Sequence, residues 1–528
     1  MHKKLFYLFS IYYLSFSISS CSEFVEVEPI GPVGDKYFTE PEHYDSALIG
    51  AYDMLQTSFW NVQTATIASP DFIAGGDSNN YDQPTLQDVD KMIHDQTTYE
   101  QIRAIWENMY AGMNRTNFIL ENKDKIIDFE NKSNILGQTY FLRAYYAFEL
   151  AKFFGDIPLI VDESSDTHRI MEKQITFGDQ FDVNRVGSTS KVLNLIEEDL
   201  KDAISLLPSS QTDIWRASKY SAKSLLGRVL LYNKKYTEAA DQLQDVIDSN
   251  KYELLQHGEE FNNIWESSSE NSIESIFEVQ YTSVEGASWS CFNCSEGNYY
   301  PKFNNPRSPF NGEKYIAGWG FNLPTQILYD AYKPGDSRRD LTIWDLRTDT
   351  TRSVGREDLG FFSKKYLATK ENDLDRKGSD PLNYTNNYRA IRYADVLLMA
   401  AEAYAMSGNS NKAIEYLNLV RARAFGNNNH DYKSTDGDLM ENIILERRLE
   451  LAGEGHYFFD LIRTENALDA FEEYNSWIES DKPTWGDEDT PFLKIDFKLN
   501  KNEVFPIPLV ELELANAKER WGQNKGYN

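Results

Sequence analysis

The sequence predicts a mostly α-helical fold, built on helix pairs of the tetratricopeptide type with long loop insertions between them. Three observations support this prediction. Apolar residues recur at the helical period, one pattern of such residues occurs twice, and the long stretches between the helices show no helical periodicity. At 528 residues the chain can bury a large core, and its length alone would allow two or three domains.

Two of the predicted helices are marked by apolar stripes with spacings of three and four residues. The first stripe consists of Leu136, Tyr140, Ala144, Ala147 and Ala151. The second consists of Leu193, Ile196, Leu200, Ala203 and Leu207, and it ends at Pro208, a residue that disrupts helices. One face of each helix is therefore expected to pack into the core.

An internal repeat relates two helix pairs that lie far apart in the sequence. The first copy has Ala222, Leu225, Leu226, Tyr232, Ala239, Leu243 and Val246, which correspond to Ala394, Leu397, Leu398, Tyr404, Ala413, Leu417 and Val420. The offset is 172 in the first helix and 174 in the second, so two extra residues are expected in the second copy's turn at 408–411. Small alanines with a tyrosine near the helix end are typical of a tetratricopeptide pair.

Four segments without helical periodicity are expected to carry the function. They span residues 60–100, 160–190, 255–320 and 345–390 and are rich in Asn, Asp, Gly, Ser and aromatic residues. Loops of this length in a compact protein usually bind something. The alternative is that they cover the helical scaffold, and this is expected for part of each segment.

The first 20 residues are predicted to be a lipoprotein signal peptide. Lys3 and Lys4 precede an apolar run over residues 5–18, and two serines then precede Cys21. Cys21 is therefore expected to become the lipidated first residue of the mature protein. The alternative is a plain signal peptide with an incidental cysteine.

The predicted organisation beyond the signal peptide is a tether followed by a folded body. Residues 21–40 are expected to form the lipid-anchored tether, because their Pro, Gly and Glu content suits an extended segment. The body divides into an N-terminal region at 41–260 and a C-terminal region at 261–528, expected to form one compact unit. No later apolar run reaches the 18 residues of a spanning helix, so we expect a protein anchored to a membrane without crossing it.

Composition excludes one class of partner and favours another. The net charge of −30 makes nucleic acid an improbable ligand, because an acidic surface repels phosphates, whereas a neutral polysaccharide is indifferent to it. Aromatic residues make up 14% of the chain, and flat rings are the surfaces on which sugars stack. For any single ring, packing in the helical core is the more common role.

Several motifs together resemble one family. Residues 440–463 combine a charged helix, a turn containing Gly453 and Gly455, both expected at positive φ, and a second helix start. Further similar stretches are Trp106 to Asn117, Phe141 to Leu159, Gly318 to Gly320, Asp336 to Arg339, Arg392 to Tyr404, Leu417 to Ala424, Asn502 to Pro508 and Gln523 to Tyr527. On these residues the chain resembles the SusD/RagB family, whose members are surface lipoproteins that capture nutrients, usually glycans, for an outer-membrane transporter.

The resemblance implies a SusD-like α-helical fold and a non-catalytic role without a cofactor. It also implies a SusC-like TonB-dependent transporter as partner, a glycan as ligand, and an outer-membrane location facing the cell exterior through the lipid anchor. We interpret Glu446, Arg447, Glu450 and Arg463 as a structural ion-pair lattice. Tyr457 departs from the family, which often has Arg there.

Three loops combine aromatic rings with the polar side chains that sugar hydroxyls require. We chose them because the family builds its ligand surface from an N-terminal loop and from loops in the middle of the chain. The candidate ligand-binding residues are Trp60, Asp77, Asn80, Tyr81, Trp289, Tyr299, Tyr300 and Trp319, with Asn79, Asn293, Asn298 and Asn322 as polar neighbours.

Other chemistry is less well supported by the sequence. Cys291 and Cys294 are expected to staple a loop by a disulfide rather than bind zinc, because no histidine lies nearby. Residues 77–82 place oxygen donors at alternate positions, but they lack the glycine and late glutamate of a calcium loop and favour a plain turn. The functional alternatives are peptide uptake, as in RagB-like members, and a surface glycoside hydrolase, for which no motif was found.

Overall fold

A computed structural model of the chain describes residues 37–98, 100–162, 168–175, 183–284, 286, 288–289, 296–308, 310, 312–370, 377–485 and 490–527. The expected signal peptide, Cys21 and residues 22–36 of the expected tether lie outside the described residues, as do Cys291, Asn293 and Cys294. Within the ranges just given, no helix is both long enough and apolar enough to cross a membrane.

Helices dominate the regular structure, as the sequence predicts. The first half contains α1 (Pro41–Asp53), α2 (Phe59–Ile67), α3 (Pro84–Asp90), α4 (Glu100–Glu121), α5 (Lys132–Phe154), α6 (Thr189–Leu206), α7 (Lys219–Tyr232), α8 (Tyr236–Asp248) and α9 (Glu259–Asn262). The second half contains α10 (Tyr300–Asn304), α11 (Gln326–Ala331), α12 (Arg338–Thr342), α13 (Tyr393–Met406), α14 (Ser410–Phe425), α15 (Leu439–Leu451), α16 (Tyr457–Arg463), α17 (Ala467–Asp481), α18 (Leu509–Leu514) and α19 (Lys518–Trp521).

Both predicted apolar stripes face the core. Every stripe residue of α6 is buried, including Leu207, which follows its last turn, and the Ser188 hydroxyl caps the helix start by accepting from the Lys191 N–H at 3.2 Å. The stripe on α5 is buried except for the half-buried Leu136. Helix α5 is in fact buried on nearly all sides, because it packs between α4 and α6.

The internal repeat is confirmed as two helix pairs, α7 with α8 and α13 with α14, and α8 also packs against α13. The predicted place of the two extra residues is wrong. Both connecting turns have three residues, at 233–235 and 407–409. The extra residues instead prolong α13 beyond Tyr404, whereas α7 ends at Tyr232, because residues 405 and 406 still form helical hydrogen bonds.

Short strands pair the loops with one another and form no large sheet in the described part of the chain. They are β1 (Phe72–Gly75), β2 (Val161–Asp162), β3 (Arg169–Ile170), β4 (Ser275–Val279), β5 (Phe321–Pro324), β6 (Ile343–Asp345), β7 (Phe361–Ser363), β8 (Tyr388–Arg392), β9 (Thr484–Trp485) and β10 (Thr490–Pro491). The antiparallel pairs are β1 with β5, β2 with β3, β4 with β8, β6 with β7 and β9 with β10. Pairing of β1 with β5 matters most here, because it joins the loop after Gly75 to the loop before Phe321.

The charged residues of the 440–463 segment lie in a buried lattice of ion pairs, as predicted. Glu450 Oε1 accepts from Arg392 Nη1 and from Arg423 Nη2, each at 2.6 Å. Arg392 Nε also donates to Glu454 Oε2 at 2.9 Å, and its Nη1 donates to Glu274 at 3.0 Å. All five side chains are at most 4% exposed, so each charge depends on its partners.

A second branch of the lattice ties α15 to α13 and α16. Arg447 donates to Asp395 at 2.8 Å and to Asp460 at 3.0 Å, and Asp460 also accepts from Arg463 at 2.6 Å. Burial opposes ionisation of Asp460, but Arg447 and Arg463 hold its pKa below the usual range. The carboxylates therefore remain charged inside the protein.

The turn between α15 and α16 has the predicted backbone. Gly453 and Gly455 have φ of +78° and +79°, and a Cβ on Gly455 would approach the Cα of Val62 to 3.0 Å. Tyr457, where the family often has Arg, lies 5.0 Å beneath the Arg448 guanidinium, which pairs with Asp71 at 2.5 Å.

The buried core draws residues from both sides of residue 260. Ala239 and Leu243 of α8 and Leu397 and Ala401 of α13 belong to one cluster. The division into regions 41–260 and 261–528 stays a prediction.

Candidate functional site

A continuous row of aromatic rings joins the three candidate segments. The expected loop at Trp60 is wrong, because residues 59–67 form α2 and bury Phe59, Val62 and Ile67 in the core. The Trp60 ring lies 4.7 Å from the Tyr299 ring, which contacts Phe303 edge-on at 5.6 Å. Phe303 contacts Trp319 edge-on at 4.9 Å, and Trp319 lies 6.4 Å from Trp289 with 33° between the planes. Rings that are separated by more than 200 residues in the sequence thus meet in one place.

The tryptophans of this row reach the surface. Trp289 is 58% exposed, while Trp60 and Trp319 are half-buried. We call these three residues the tryptophan surface. Trp289 and Trp319 lie next to each other, and all three indoles are open to solvent on part of their area, so they are suited to stacking against the apolar faces of sugar rings.

Tyr299 and Tyr300 were expected at the surface, and the structure places them in the core. They are 4% and 1% exposed, and the Tyr300 ring stacks on Phe59 at 4.4 Å. The physical reason is local: the short helix α10 starts at Tyr300, with Pro301 in its first turn, and Tyr300 packs inward against Phe59 of α2. Tyr299 supports Trp60 from below rather than facing a ligand.

Trp319 is held by the backbone on both of its sides. The N–H groups of Gly318, Trp319 and Gly320 donate to the carbonyls of Pro306, Lys302 and Asn305 at 2.7, 2.9 and 2.9 Å. A Cβ on Gly318 would lie 2.4 Å from the Lys302 carbonyl oxygen, so only glycine fits this close approach. The indole is therefore fixed before any ligand arrives.

Arg307 connects the acidic N-terminal loop to the tryptophan surface. Its Nη2 donates to Asp77 Oδ2 at 2.8 Å, and its Nη1 donates to the Trp319 carbonyl at 2.9 Å. The Gly76 N–H donates to the Gly320 carbonyl at 2.7 Å, which continues the pairing of β1 with β5. Asp77 thus lies beside Trp319, although 242 residues separate them in the sequence.

Residues 77–82 form a turn, which confirms that interpretation. Asp77 Oδ1 accepts from the Asn79 N–H at 2.8 Å, so both carboxylate oxygens of Asp77 already have partners. Asn79 and Asn80 are exposed beyond this bond. No cluster of three or more His, Cys, Asp or Glu side chains suited to a metal ion occurs within the described ranges.

Tyr81 stands at the far edge of the same loop. It is 46% exposed, and its hydroxyl donates to Asp88 Oδ1 at 2.5 Å. Burial and this bond to Asp88 raise the pKa of Tyr81, so the phenol stays protonated. The Arg356 guanidinium lies 5.4 Å from the Tyr81 ring and 5.8 Å from the Trp485 ring.

Four residues near the candidate site were not predicted from the sequence: Arg307, Phe303, Arg356 and Trp485. Trp485 had a signal, because it lies between Pro483 and Gly486 in a turn-rich stretch that forms the hairpin of β9 and β10. Arg307 and Arg356 had none, since their roles depend on contacts across 230 and 275 residues.

Two of the expected polar neighbours have structural roles instead. Asn298 is fully buried and donates to the Asn386 carbonyl at 2.6 Å. Asn322 is also fully buried and donates to Asn304 Oδ1 at 2.6 Å. Both lie beneath the tryptophan surface, where buried amides need such partners.

Comparison with known proteins agrees with the resemblance. The model of the SusD family matches residues 338–527, and a model described as "Starch-binding associating with outer membrane" matches residues 24–231. The SusD-like protein P2 of Formosa agariphila is 26% identical over 483 residues, which cover 87% of this chain and 90% of that protein.

Solved structures show the same fold. A laminarin-binding SusD-like protein is 30% identical, with a TM-score of 0.75 over 92% of this chain and 99% of its own. The surface glycan-binding protein A from Bacteroides thetaiotaomicron, solved in complex with laminarihexaose, is 26% identical, with a TM-score of 0.76 over the same shares.

Proposed function

This chain belongs to the SusD/RagB family, and from that premise we propose that it is a cell-surface protein that captures an oligosaccharide or polysaccharide without cleaving it. It delivers the glycan to a SusC-like TonB-dependent transporter in the outer membrane. The lipid on Cys21 anchors the protein to that membrane, facing the cell exterior, and the following residues act as the tether. Each acyl methylene that enters the bilayer contributes about 0.8 kcal/mol, so several chains hold firmly.

The observation that carries this proposal is the tryptophan surface. Trp289 and Trp319 lie side by side, and Trp60 is joined to them through the buried rings of Tyr299 and Phe303. Arg307 links Asp77 to the Trp319 carbonyl, and Asn80 and Tyr81 follow Asp77 on the same loop. Apolar rings bordered by carboxylate, amide and phenol groups match a sugar, which has apolar C–H faces surrounded by hydroxyls. Because the rings are fixed by Tyr299, Phe303 and the 318–320 backbone, little conformational entropy is lost on binding.

Exposure of Trp289 favours a glycan over a peptide. A site for basic peptides would place carboxylates above a buried aromatic floor, whereas here the indole itself is 58% exposed. Two carboxylates of the N-terminal loop are also occupied, since Asp77 pairs with Arg307 and Asp88 accepts from Tyr81. These two groups are therefore not free to act as the carboxyl pair that glycoside hydrolysis requires.

The test is a binding panel with the lipid-free chain from Ser22 onward, which retains every described element. Because two similar structures are described with laminarin or laminarihexaose, laminarin is the first ligand to test, followed by other soluble polysaccharides and by basic peptides. We expect retention of a polysaccharide, no release of reducing ends, and an affinity at least about tenfold weaker for Trp289→Ala, which is about 1.4 kcal/mol.

The matched control is Leu514→Ala, another exposed apolar residue, which lies on α18 away from the candidate loops. It should bind as the unchanged chain does. Retention of peptides alone would support the peptide alternative, and release of reducing sugar would support a hydrolase. If Trp289→Ala and the unchanged chain bind equally well, the tryptophan surface does not bind the glycan.

A further inference from the structure

A second aromatic cleft lies beside the tryptophan surface and has no role so far. It has a volume of about 320 Å³, and its lining includes Tyr52, Gln56, Trp215, Gln280, Tyr281 and Glu296. We call it the Trp215 cleft. Its floor comes from α1, from the turn of residues 54–58 and from the end of β4, which are all parts of the rigid scaffold.

Trp215 is held in place in this cleft by its neighbours. The Arg216 guanidinium lies 4.3 Å from the indole centre, and the Tyr52 ring meets the indole at 5.2 Å with 88° between the planes. Arg216 is in turn fixed by Asp45 at 2.8 Å and Asp213 at 3.0 Å. The indole is half-buried and lines the cleft, which gives a second preorganised ring of the kind that sugars stack on.

Polar groups surround this ring at hydrogen-bonding positions. Gln56 Nε2 donates to Glu296 Oε2 at 2.9 Å and to the Gln280 carbonyl at 3.2 Å. The Gln280 side chain is fully engaged with Asn271, Asn387 and the Glu278 carbonyl. Gln56 and Glu296 are half-buried, and the Oε1 atoms of both remain to accept from the hydroxyl groups of a ligand. The combination of indole, amides and one carboxylate is the same as that of the candidate site.

The cleft and the tryptophan surface are parts of one face of the protein. Gln56 precedes Trp60 by four residues, and the Tyr281 hydroxyl donates to the Gln56 carbonyl at 2.7 Å. The Thr282 N–H donates to the Glu296 carbonyl at 2.9 Å, which closes the base of the loop that carries Trp289. The segment that carries Trp289 is therefore flanked by Thr282 and Glu296, which both line the Trp215 cleft.

Charge defines which glycans the cleft accepts. The charged residues that line it within the described ranges are Asp53, Glu278 and Glu296, and all of them are acidic. Asp53 is paired with Arg115, and Glu278 is buried and lies 3.9 Å from Arg389, so Glu296 is the carboxylate that a charged sugar would meet. A carboxylate or sulfate placed 4 Å from Glu296 would cost about 1 to 4 kcal/mol, depending on solvent exposure. An uncharged glycan meets no such penalty.

We propose that the Trp215 cleft is a second subsite for the same uncharged glycan, so that one long chain is held at the tryptophan surface and at Trp215 together. This inference rests on the proposed function. Its consequence is selection by length: a long chain gains from both sites through a high effective concentration at the second, whereas a short oligosaccharide occupies only the first.

The test compares laminarin with a trisaccharide of the same linkage, measured by calorimetry on the chain from Ser22 onward. For Trp215→Ala we expect an affinity for laminarin about tenfold lower and an unchanged affinity for the trisaccharide. Trp289→Ala should lose affinity for both ligands. Gln56→Ala, which keeps Trp215 in place, should repeat the selective loss with laminarin and guards against a Trp215→Ala protein that fails to fold.

Unchanged laminarin affinity in folded Trp215→Ala and in Gln56→Ala, with Trp289→Ala still impaired, would overturn the second subsite and leave the proposed function intact. An equal loss of affinity for laminarin and for the trisaccharide would also overturn it. The cleft would then affect binding at the tryptophan surface and would not select glycans by length. Failure of the proposed function would differ, since the unchanged chain would then retain neither ligand.

Discussion

The buried ion-pair lattice and the tryptophan surface use charged and aromatic side chains in opposite ways. In the lattice, Arg392, Glu450 and Glu454 are nearly inaccessible and satisfy one another. At the surface, Trp289 and Tyr81 are about half exposed, and the supporting contacts come from beneath. The residues that identify the family most clearly therefore hold the fold, while the residues proposed to meet the ligand lie on loops with a weak sequence signal.

Removing one lattice cation should produce the largest effect. Arg392→Met leaves Glu274, Glu450 and Glu454 buried without their shared partner, so the free energy of unfolding should fall by about 3–5 kcal/mol in a chemical denaturation experiment. Whatever protein remains folded should bind laminarin as before. The control is Lys494→Ala, which removes a pair with Glu479 that is more than half exposed and should change stability by less than about 1 kcal/mol.

A small change in stability for Arg392→Met would contradict a structural role for the lattice, because the lattice would then contribute little to the fold. A loss of binding at full stability would contradict it as well. Either result would assign the family residues a role outside the core.

Acid should produce the next largest effect, and it should act on stability rather than on binding. Burial lowers the pKa of His94 and of His456 to about 3, assisted by Lys501 and Arg228 respectively. The unfolded chain binds protons at these positions below about pH 6.5, while the folded protein does not, so stability falls as the pH drops from about 6.5 to about 3.

The lattice carboxylates act in the same direction at lower pH. The pKa values of Glu454 and Asp460 are lower in the folded protein than in the unfolded chain, so the contribution of these two groups is complete above about pH 4.5 and is lost on further acidification. Unfolding free energies measured between pH 7 and pH 4 should decline, and the decline should be shallower in His456→Gln. A pH-independent stability over this range would contradict the burial of both histidines.

Replacing Arg307 should lower both the laminarin affinity and the stability, each by a smaller amount. Arg307→Met removes the link between Asp77 and the Trp319 carbonyl, so we expect laminarin affinity to fall about three- to tenfold and the unfolding free energy to fall by about 1–2 kcal/mol. Asp77→Asn keeps a side-chain oxygen that can accept from the Asn79 N–H, so its loss of affinity should be milder. Unchanged affinity in both variants would separate the N-terminal loop from the site.

Much of the scaffold could be predicted from local patterns. The stripe on α6, the paired helices of the repeat, and the positive φ of Gly453 and Gly455 depend on spacing and sterics within a few residues. The family motifs extended this to the whole chain. The position of the two extra residues in the repeat was wrong, because sequence offset shows that residues are added but not whether they continue a helix.

The site could be predicted only in part. Composition and the family resemblance pointed to three segments that one row of rings does join, although Trp60 lies on α2 and not on a loop. Composition could not distinguish an exposed ring from a buried one. Tyr299 and Tyr300 follow the same polar, aromatic pattern as Trp289 and yet face the core, because helix α10 turns them inward. Arg307 and Arg356 depend on pairing between distant segments, which one sequence does not record.

The most direct test of the central claim is a crystal structure of the chain from Ser22 onward, crystallised with laminarihexaose. We expect sugar rings stacked on Trp289 and Trp319, with hydroxyl groups in contact with Asp77, Asn80 or Tyr81. Sugar bound elsewhere, with these tryptophans in contact with solvent alone, would contradict it.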